Sequence, residues 1–426
     1  MNLLTKFARH SLWLLIARMG AQASMVLVTY LLARRLGTAG FGEYAFIATA
    51  IVIGNTLTTF GTDMYLIREI AAKSDFSELP AVLILQLILA GLFIGFVFWF
   101  APHFPNQTAE SVLALKVYSF AMLPLAFFTV FTSVLRGTQK ISAYAWLNFI
   151  PSALQVIAIF FFIQQGTSLV RLAYLLLGIQ IFGTIFAGVL CSSLVSSLKD
   201  MHLSFDKLMS LFVACLPIAL IAIVGIVYQK LSLTMLSFLG TASMVGVFSA
   251  AARVVEAARL GHFAALTALY PAMANADQHK LSGTSRASWL FLLLFSAIGS
   301  ILMYWLAKPI VDIFFGTGYV LSIPVLKVLA FTLVPYTVNS FLSLLFLAQK
   351  KEKTVLQILA VSALMVFALN VWFIPHAGQV GASWAILIAE ITQAILFLSA
   401  WLNSPLHQVD AALFKGASHE LSDLSR

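Results

Sequence analysis

Leu115-Lys116-Val117-Tyr118-Ser119-Phe120-Ala121-Met122-Leu123-Pro124 returns later in the chain as Leu326-Lys327-Val328-Leu329-Ala330-Phe331-Thr332-Leu333-Val334-Pro335. Leu, Lys, Val, Phe and Pro recur at a constant offset of 211, each time inside a long apolar run. A second pair, Leu36-Gly37-Thr38-Ala39 with Gly42 and Leu239-Gly240-Thr241-Ala242 with Gly246, recurs at an offset of 203 to 204. An offset near half of 426 residues predicts two copies of one multi-helix unit.

The surroundings of these runs say what solvent the unit is built for. Apolar residues make up 61% of the chain and charged ones 10%, with a mean hydropathy of +0.98, outside the range of soluble domains. A bilayer core needs about 20 apolar residues per helix. Runs of that kind are predicted at 12 to 33, 43 to 67, 80 to 101, 112 to 135, 143 to 164, 170 to 194, 209 to 229, 243 to 271, 288 to 306, 323 to 347, 355 to 374 and 382 to 402. The expectation is an all-α polytopic membrane protein of about twelve transmembrane helices, six in each half. An even number of spans per repeat leaves both halves in the same orientation, related by a pseudo-twofold axis along the membrane normal. The predicted units are 1–200, 201–405 and a tail at 406–426.

Charge supports the count and sets the orientation. Fifteen Lys and Arg fall in alternate connections and the two tails, including Lys6, Arg9, Arg68, Arg136, Lys207, Lys280 and Lys350. Seven fall on the other side: Arg34, Arg35, Lys116, Arg171, Lys230, Lys308 and Lys327. Positive charge accumulates in cytoplasmic loops, so both termini are expected in the cytoplasm. Membrane topology therefore accounts for the formal net charge of +9, and no nucleic-acid partner is expected. Lys6 and Arg9 precede an apolar run in the manner of a signal peptide, but Arg18 interrupts it and the run continues past Val28, as in an uncleaved first span.

Ionisable groups inside spans are costly to insert, so those that remain face a wet cavity or a partner. Arg18 lies in span 1, Asp63 near the inner end of span 2, Arg253, Glu256 and Arg259 in span 8, and Glu390 in span 12. The span 8 trio is spaced i, i+3, i+6, which lets Glu256 pair with either arginine and leaves one guanidinium over. Arg18, Arg253 and Arg259 are the candidate anion-binding residues, since guanidinium forks recognise phosphate bidentately. Glu256 and Glu390 are candidates for ion coupling or a cavity ion pair, and Asp63 for a cap or loop salt bridge. Repeat-related Pro124 and Pro335 are expected to break their spans. Gly91 and Gly95 form a GxxxG, expected to mark close helix packing. Cys191 and Cys215 sit in apolar runs, and neither GxxxxGK[ST] nor HExxH nor CxxC occurs, so no resident cofactor, metal site or ATP hydrolysis is expected. The outer connections leave little room for a catalytic module, and a transporter, not an enzyme, is the expectation.

Several short motifs, in order along nearly the whole chain, resemble the polysaccharide-export branch of the multidrug/oligosaccharidyl-lipid/polysaccharide (MOP) flippase superfamily, the O-antigen unit flippases. In the first half they are Ala33-Arg34-Arg35-Leu36-Gly37, Gly40-Phe41-Gly42-Glu43-Tyr44, and Gly61 with Asp63 leading to Arg68-Glu69-Ile70-Ala71. In the second half they are Val245-Gly246-Val247-Phe248-Ser249-Ala250-Ala251, Tyr270-Pro271-Ala272, Phe315-Gly316 with Tyr319, Val325-Leu326, Asn370, and Pro375 followed by Gly378 and Gly381-Ala382. The resemblance implies a flippase moving an undecaprenyl-pyrophosphate-linked oligosaccharide across the bacterial cytoplasmic (inner) membrane by alternating access, with arginines of spans 1 and 8 at the diphosphate. It also implies a polysaccharide polymerase and a chain-length regulator as partners. The lipid II flippase branch usually carries two further helices, which the run ending near Leu402 does not match. Whether H+ or Na+ coupling or removal of product drives the cycle stays open, and a multidrug exporter of the same superfamily is the alternative function.

Overall fold

The computed structural model describes the backbone of residues 3–73, 76–192, 205–275, 284–349 and 351–403, and the side chains within them except 3–19, 21–22, 205, 260–275 and 284–289. Fourteen α-helices and no strand occur among the described residues: α1 Leu3–Thr59, α2 Thr62–Lys73, α3 Leu79–Phe100, α4 Ala109–Ser119, α5 Met122–Gly137, α6 Ile141–Phe162, α7 Leu169–Leu190, α8 Phe205–Leu239, α9 Ala242–Asn275, α10 Thr284–Trp305, α11 Ala307–Phe314, α12 Ser322–Ala330, α13 Leu333–Ala348 and α14 Glu352–Leu402.

Length shows where one helix is two spans. The 57 residues of α1 would extend roughly 85 Å and the 51 of α14 roughly 76 Å, against a hydrocarbon core of about 30 Å. Each is broken by a glycine in the left-handed region, Gly37 (φ 68) and Gly378 (φ 54). Among the described residues six helices pass as membrane spans by length and composition, and three bent pairs, α4–α5, α10–α11 and α12–α13, bring the number to nine. Dividing α1 and α14 adds two, and the charged helix α9 is the twelfth. The protein is thus a multi-pass helical membrane protein of two six-span bundles. The expected boundary at 200/201 lies outside the described residues, between α7 and α8, as does the 406–426 tail.

The two bundles meet where the second repeat motif lies. A Cβ added to Gly42 would stand 1.8 Å from the Ala242 carbonyl oxygen, and one added to Gly246 would stand 1.9 Å from that of Thr38. Position 38 relates to 242 as 42 does to 246, so the contact is reciprocal, as a twofold contact between equivalent surfaces must be. Ser243 Oγ donates to Thr38 Oγ1 at 3.0 Å across the same crossing. Around it Leu32, Phe41 and Ala45 of α1 pack with Val245, Phe248 and Ala251 of α9 in one buried core. The GxxxG of span 3 has no such role, contrary to its sequence reading. Gly91 and Gly95 are exposed, and an added Cβ at either would meet nothing within 4 Å.

The prolines of the first repeat motif act through the carbonyl four residues earlier, which their rings exclude and which lacks their missing N–H. Those carbonyls belong to Phe120 and Phe331, and α4 and α12 end one residue before them, at Ser119 and Ala330. The chain bends by 40° between α4 and α5 and by 45° between α12 and α13. Side chains of neighbouring helices bond the backbone beside the breaks: Thr184 Oγ1 donates to the Pro124 carbonyl at 2.9 Å and Ser300 Oγ to that of Ala330 at 2.8 Å.

One boundary differs materially from the sequence reading. Lys230, expected in an outer connection after a span ending at 229, lies inside α8, which continues to Leu239. Hydropathy ends a span at a charge, but here the ammonium has an acidic partner on the adjacent helix. Lys116 and Lys327, likewise counted in connections, lie in the last turns of α4 and α12.

Candidate functional site

Helix α9 brings Arg253, Glu256 and Arg259 to one drifting face, and α8, α13 and α14 supply their partners. Counted at 1.5 Å per residue from the ends of α8 and α9 farthest from the termini, Lys230, Arg253, Glu256 and Arg259 lie roughly 14 to 26 Å along their helices, within the hydrocarbon depth. Glu256 accepts from two cations at once: Lys230 Nζ at 2.8 Å and Arg253 Nη1 at 3.0 Å. It does not pair with Arg259, which turns toward span 12. Arg259 Nη2 lies 3.4 Å from Glu390 Oε1 and donates to Thr332 Oγ1 at 2.9 Å, and the guanidinium stands over the Tyr336 ring at 4.2 Å. Asn339 Nδ2 donates to Glu390 Oε2 at 2.8 Å and to the Glu390 carbonyl oxygen at 3.0 Å.

The result is two clusters of different character, side by side on α9. Lys230, Arg253 and Glu256 are half-buried, while Glu390 is 3% exposed. Among the described residues three cations face two carboxylates here, one positive charge in excess. Arg253 commits one of its five donors to Glu256, which leaves a fork for an incoming anion. Around Glu390 the polar complement is incomplete: Arg259 Nε, Asn339 Oδ1, Gln393 Oε1 and Tyr228 OH are buried without a partner. Buried polar atoms in such a state are places for water, ions or ligand.

The other sequence candidates fall elsewhere. The side chain of Arg18 lies outside the described residues. Asp63 sits in the first turn of α2, just after a break at Phe60 and Gly61, both with positive φ. A carboxylate there meets the positive end of a helix and lies away from the α9 cluster. Pro124 is remote from the charges, whereas Pro335 acts through its break, which places Thr332 against Arg259. Sequence reasoning missed Lys230, Thr332, Tyr336, Asn339 and Gln393. Asn339 and Gln393 carried a legible signal, as amides within apolar runs. Among the described residues no group of three or more His, Cys, Asp and Glu side chains comes together.

The end of the bundle away from the termini is tied shut across the two halves. Arg34 Nη2 donates to the Ile313 carbonyl at 2.9 Å and Tyr319 OH to that of Ala33 at 3.0 Å. Asn106 Nδ2 donates to Phe238 O at 2.7 Å and Gln107 Nε2 to Ser237 O at 3.1 Å. Arg35 caps the end of α6, donating to the carbonyls of Ile159, Phe160 and Ile163. On the termini side Lys207 of α8 lies 3.3 Å from Glu78.

Residues 7–277, more than half of the chain, match the family described as polysaccharide biosynthesis protein. No curated protein sequence matches. Among solved structures the fold is similar to an inward-facing multidrug resistance MATE family transporter of the MOP superfamily, at TM-score 0.72 and 16% identity over 92% of this chain and 96% of that one. It is similar to the lipid II flippase MurJ in an inward closed conformation, at TM-score 0.72 and 15% identity over 96% and 92%. A MOP superfamily transporter from Pyrococcus furiosus with a binding pocket of reverse polarity aligns at TM-score 0.68 and 17% identity over 94% and 95%. At these identities the likeness is one of fold.

Proposed function

Because this membrane-spanning chain belongs to the polysaccharide biosynthesis protein family, we propose that it is a flippase carrying an undecaprenyl-pyrophosphate-linked oligosaccharide from the cytoplasmic to the outer leaflet. The observation that carries the reading is the excess positive charge, among the described residues, of Lys230, Arg253 and Arg259 over Glu256 and Glu390 within the hydrocarbon depth. A diphosphate crossing hydrocarbon unaided loses its hydration, and a cationic, water-accessible face replaces it while the prenyl tail stays in lipid. In this reading Arg253 and Arg259 hold the diphosphate with Lys230, Arg18 contributes from span 1, and Glu256 is a counter-ion that the substrate displaces. The lobes rock about the breaks before Pro124 and Pro335, and the Arg34, Tyr319, Asn106 and Gln107 bonds release as the distal end opens. Glu390, buried among unpartnered polar atoms, is the group on which H+ or Na+ coupling rests, and Asp63 is a helix-end acid.

Purified protein tests this directly. Wild type is expected to bind undecaprenyl pyrophosphate, and Arg253→Ala or Arg259→Ala about tenfold or more weaker, since a charge-assisted hydrogen bond contributes roughly 1.5–3 kcal/mol. Equal binding by wild type and both variants overturns the site.

A further inference from the structure

The first repeat motif carries a feature that the proposed transport does not use. Lys116 Nζ stands over the Phe98 ring at 5.4 Å, and Phe98 meets Phe120 edge-on at 5.7 Å. In the second half Lys327 Nζ stands over the Tyr304 ring at 4.9 Å, and Tyr304 meets Phe331 at 5.6 Å. Lysine and second ring are related by the offset of 211 in both cases, and the first rings by 206, as are their neighbours Trp99 and Trp305. The same three-part arrangement is thus built twice.

Its chemistry points outward. Phe98, Phe120, Phe331, Trp99 and Trp305 are all exposed, the two tryptophans at 73% and 76%. In this protein such exposure on α3, α10 and the bent spans faces lipid. Each lysine lies in the last turn of a half-helix, about 10 Å and 8 Å along from Ala109 and Ser322, and its stem is long enough to lift the ammonium toward the headgroups. Among the described residues neither lysine is in an ion pair. The ring face below each ammonium supplies cation–π attraction, which leaves hydrogen bonding by its three donors to groups beyond the face.

We propose that these are two repeat-related binding sites for the phosphate of an anionic phospholipid, in the leaflet opposite the termini. The aromatic pair seats the glycerol and upper acyl region, and the lysine takes a phosphate oxygen. A headgroup without its own ammonium is preferred, because an ammonium there would repel the lysine. Each site lies one turn from a proline-induced break, so a bound lipid spans both half-helices and braces the bend.

The test uses full-length protein in nanodiscs of equal phosphatidylglycerol and phosphatidylcholine, with retained lipid read by native mass spectrometry. Wild type is expected to keep two phosphatidylglycerol molecules, Lys116→Gln one, Lys327→Gln one and the double variant none, while the two Lys→Arg variants keep both. The single variants carry the test alone if the double variant melts early. Unchanged retention in the single variants, or equal retention of phosphatidylcholine by wild type, overturns the proposal and leaves two anchors that reach only for water.

Discussion

Replacing Glu256 by Gln should make the protein bind its substrate more tightly, although an ion-pair partner has been removed. The carboxylate is shared by Lys230 Nζ at 2.8 Å and Arg253 Nη1 at 3.0 Å, so an incoming diphosphate must compete with it for both cations. Its side chain is 38% exposed, against 18% for Lys230 and 26% for Arg253, so each pair contributes far less than a dry one. Losing both pairs is expected to lower stability by about 1–2 kcal/mol. The same change releases two cations for a charge-assisted contact, and a net gain of about 1 kcal/mol in binding corresponds to roughly fivefold in Kd. Equilibrium binding of undecaprenyl pyrophosphate to purified Glu256→Gln protein measures it, with Arg253→Ala as the weakened comparison. Turnover should slow, because release then lacks the competing carboxylate. If Glu256→Gln binds as weakly as Arg253→Ala, the carboxylate holds the site together and does not compete with substrate, and the reasoning fails.

Other perturbations separate the parts of the account. Gly42→Ala and Gly246→Ala should each destabilise the folded protein by about 3 kcal/mol, because the new methyl meets a backbone carbonyl that cannot turn aside, while Gly91→Ala and Gly95→Ala should leave melting within about 0.5 kcal/mol of wild type. Glu390→Gln strands the Arg259 charge and should cost about 3 kcal/mol, with Glu390→Gln/Arg259→Gln recovering much of it in a double-mutant cycle read by thermal melting. Arg34→Ala removes a bond between the halves at the distal end, so a Ser249→Cys probe, one turn before Arg253, should label faster with an impermeant thiol reagent from that side.

The architecture was legible because its causes are local. Hydropathy marks spans, and a proline at the same place in two copies of a motif breaks both, so the bends before Pro124 and Pro335 follow from chemistry within one turn. The glycines at 42 and 246 were visible as a repeat, but their reason was not, since only two crossing helices show that there is no room for a Cβ. Gly91 and Gly95 illustrate the converse: small residues permit close approach without requiring it. In the candidate site, residue types were easier to read than pairings. Spacing allowed Glu256 either arginine, and the choice fell to Lys230 on α8 and Glu390 on α14, which hold one partner each from a distance in sequence of 26 and 131 residues. A hydropathy scale puts Lys230 in a loop because it counts the full desolvation of the ammonium without the carboxylate that meets it.

The central claim is that this protein moves a lipid-linked oligosaccharide on a cationic face. The most direct measurement is the amount of lipid-linked oligosaccharide on the cytoplasmic leaflet in cells deleted for the gene, complemented by wild type, Arg18→Ala, Arg253→Ala or Arg259→Ala at matched expression. The account predicts accumulation that wild type clears and at least one of the Arg253 and Arg259 variants does not. A deletion strain without accumulation, retaining a cationic dye that the complemented strain expels, would contradict it and make this chain a drug exporter.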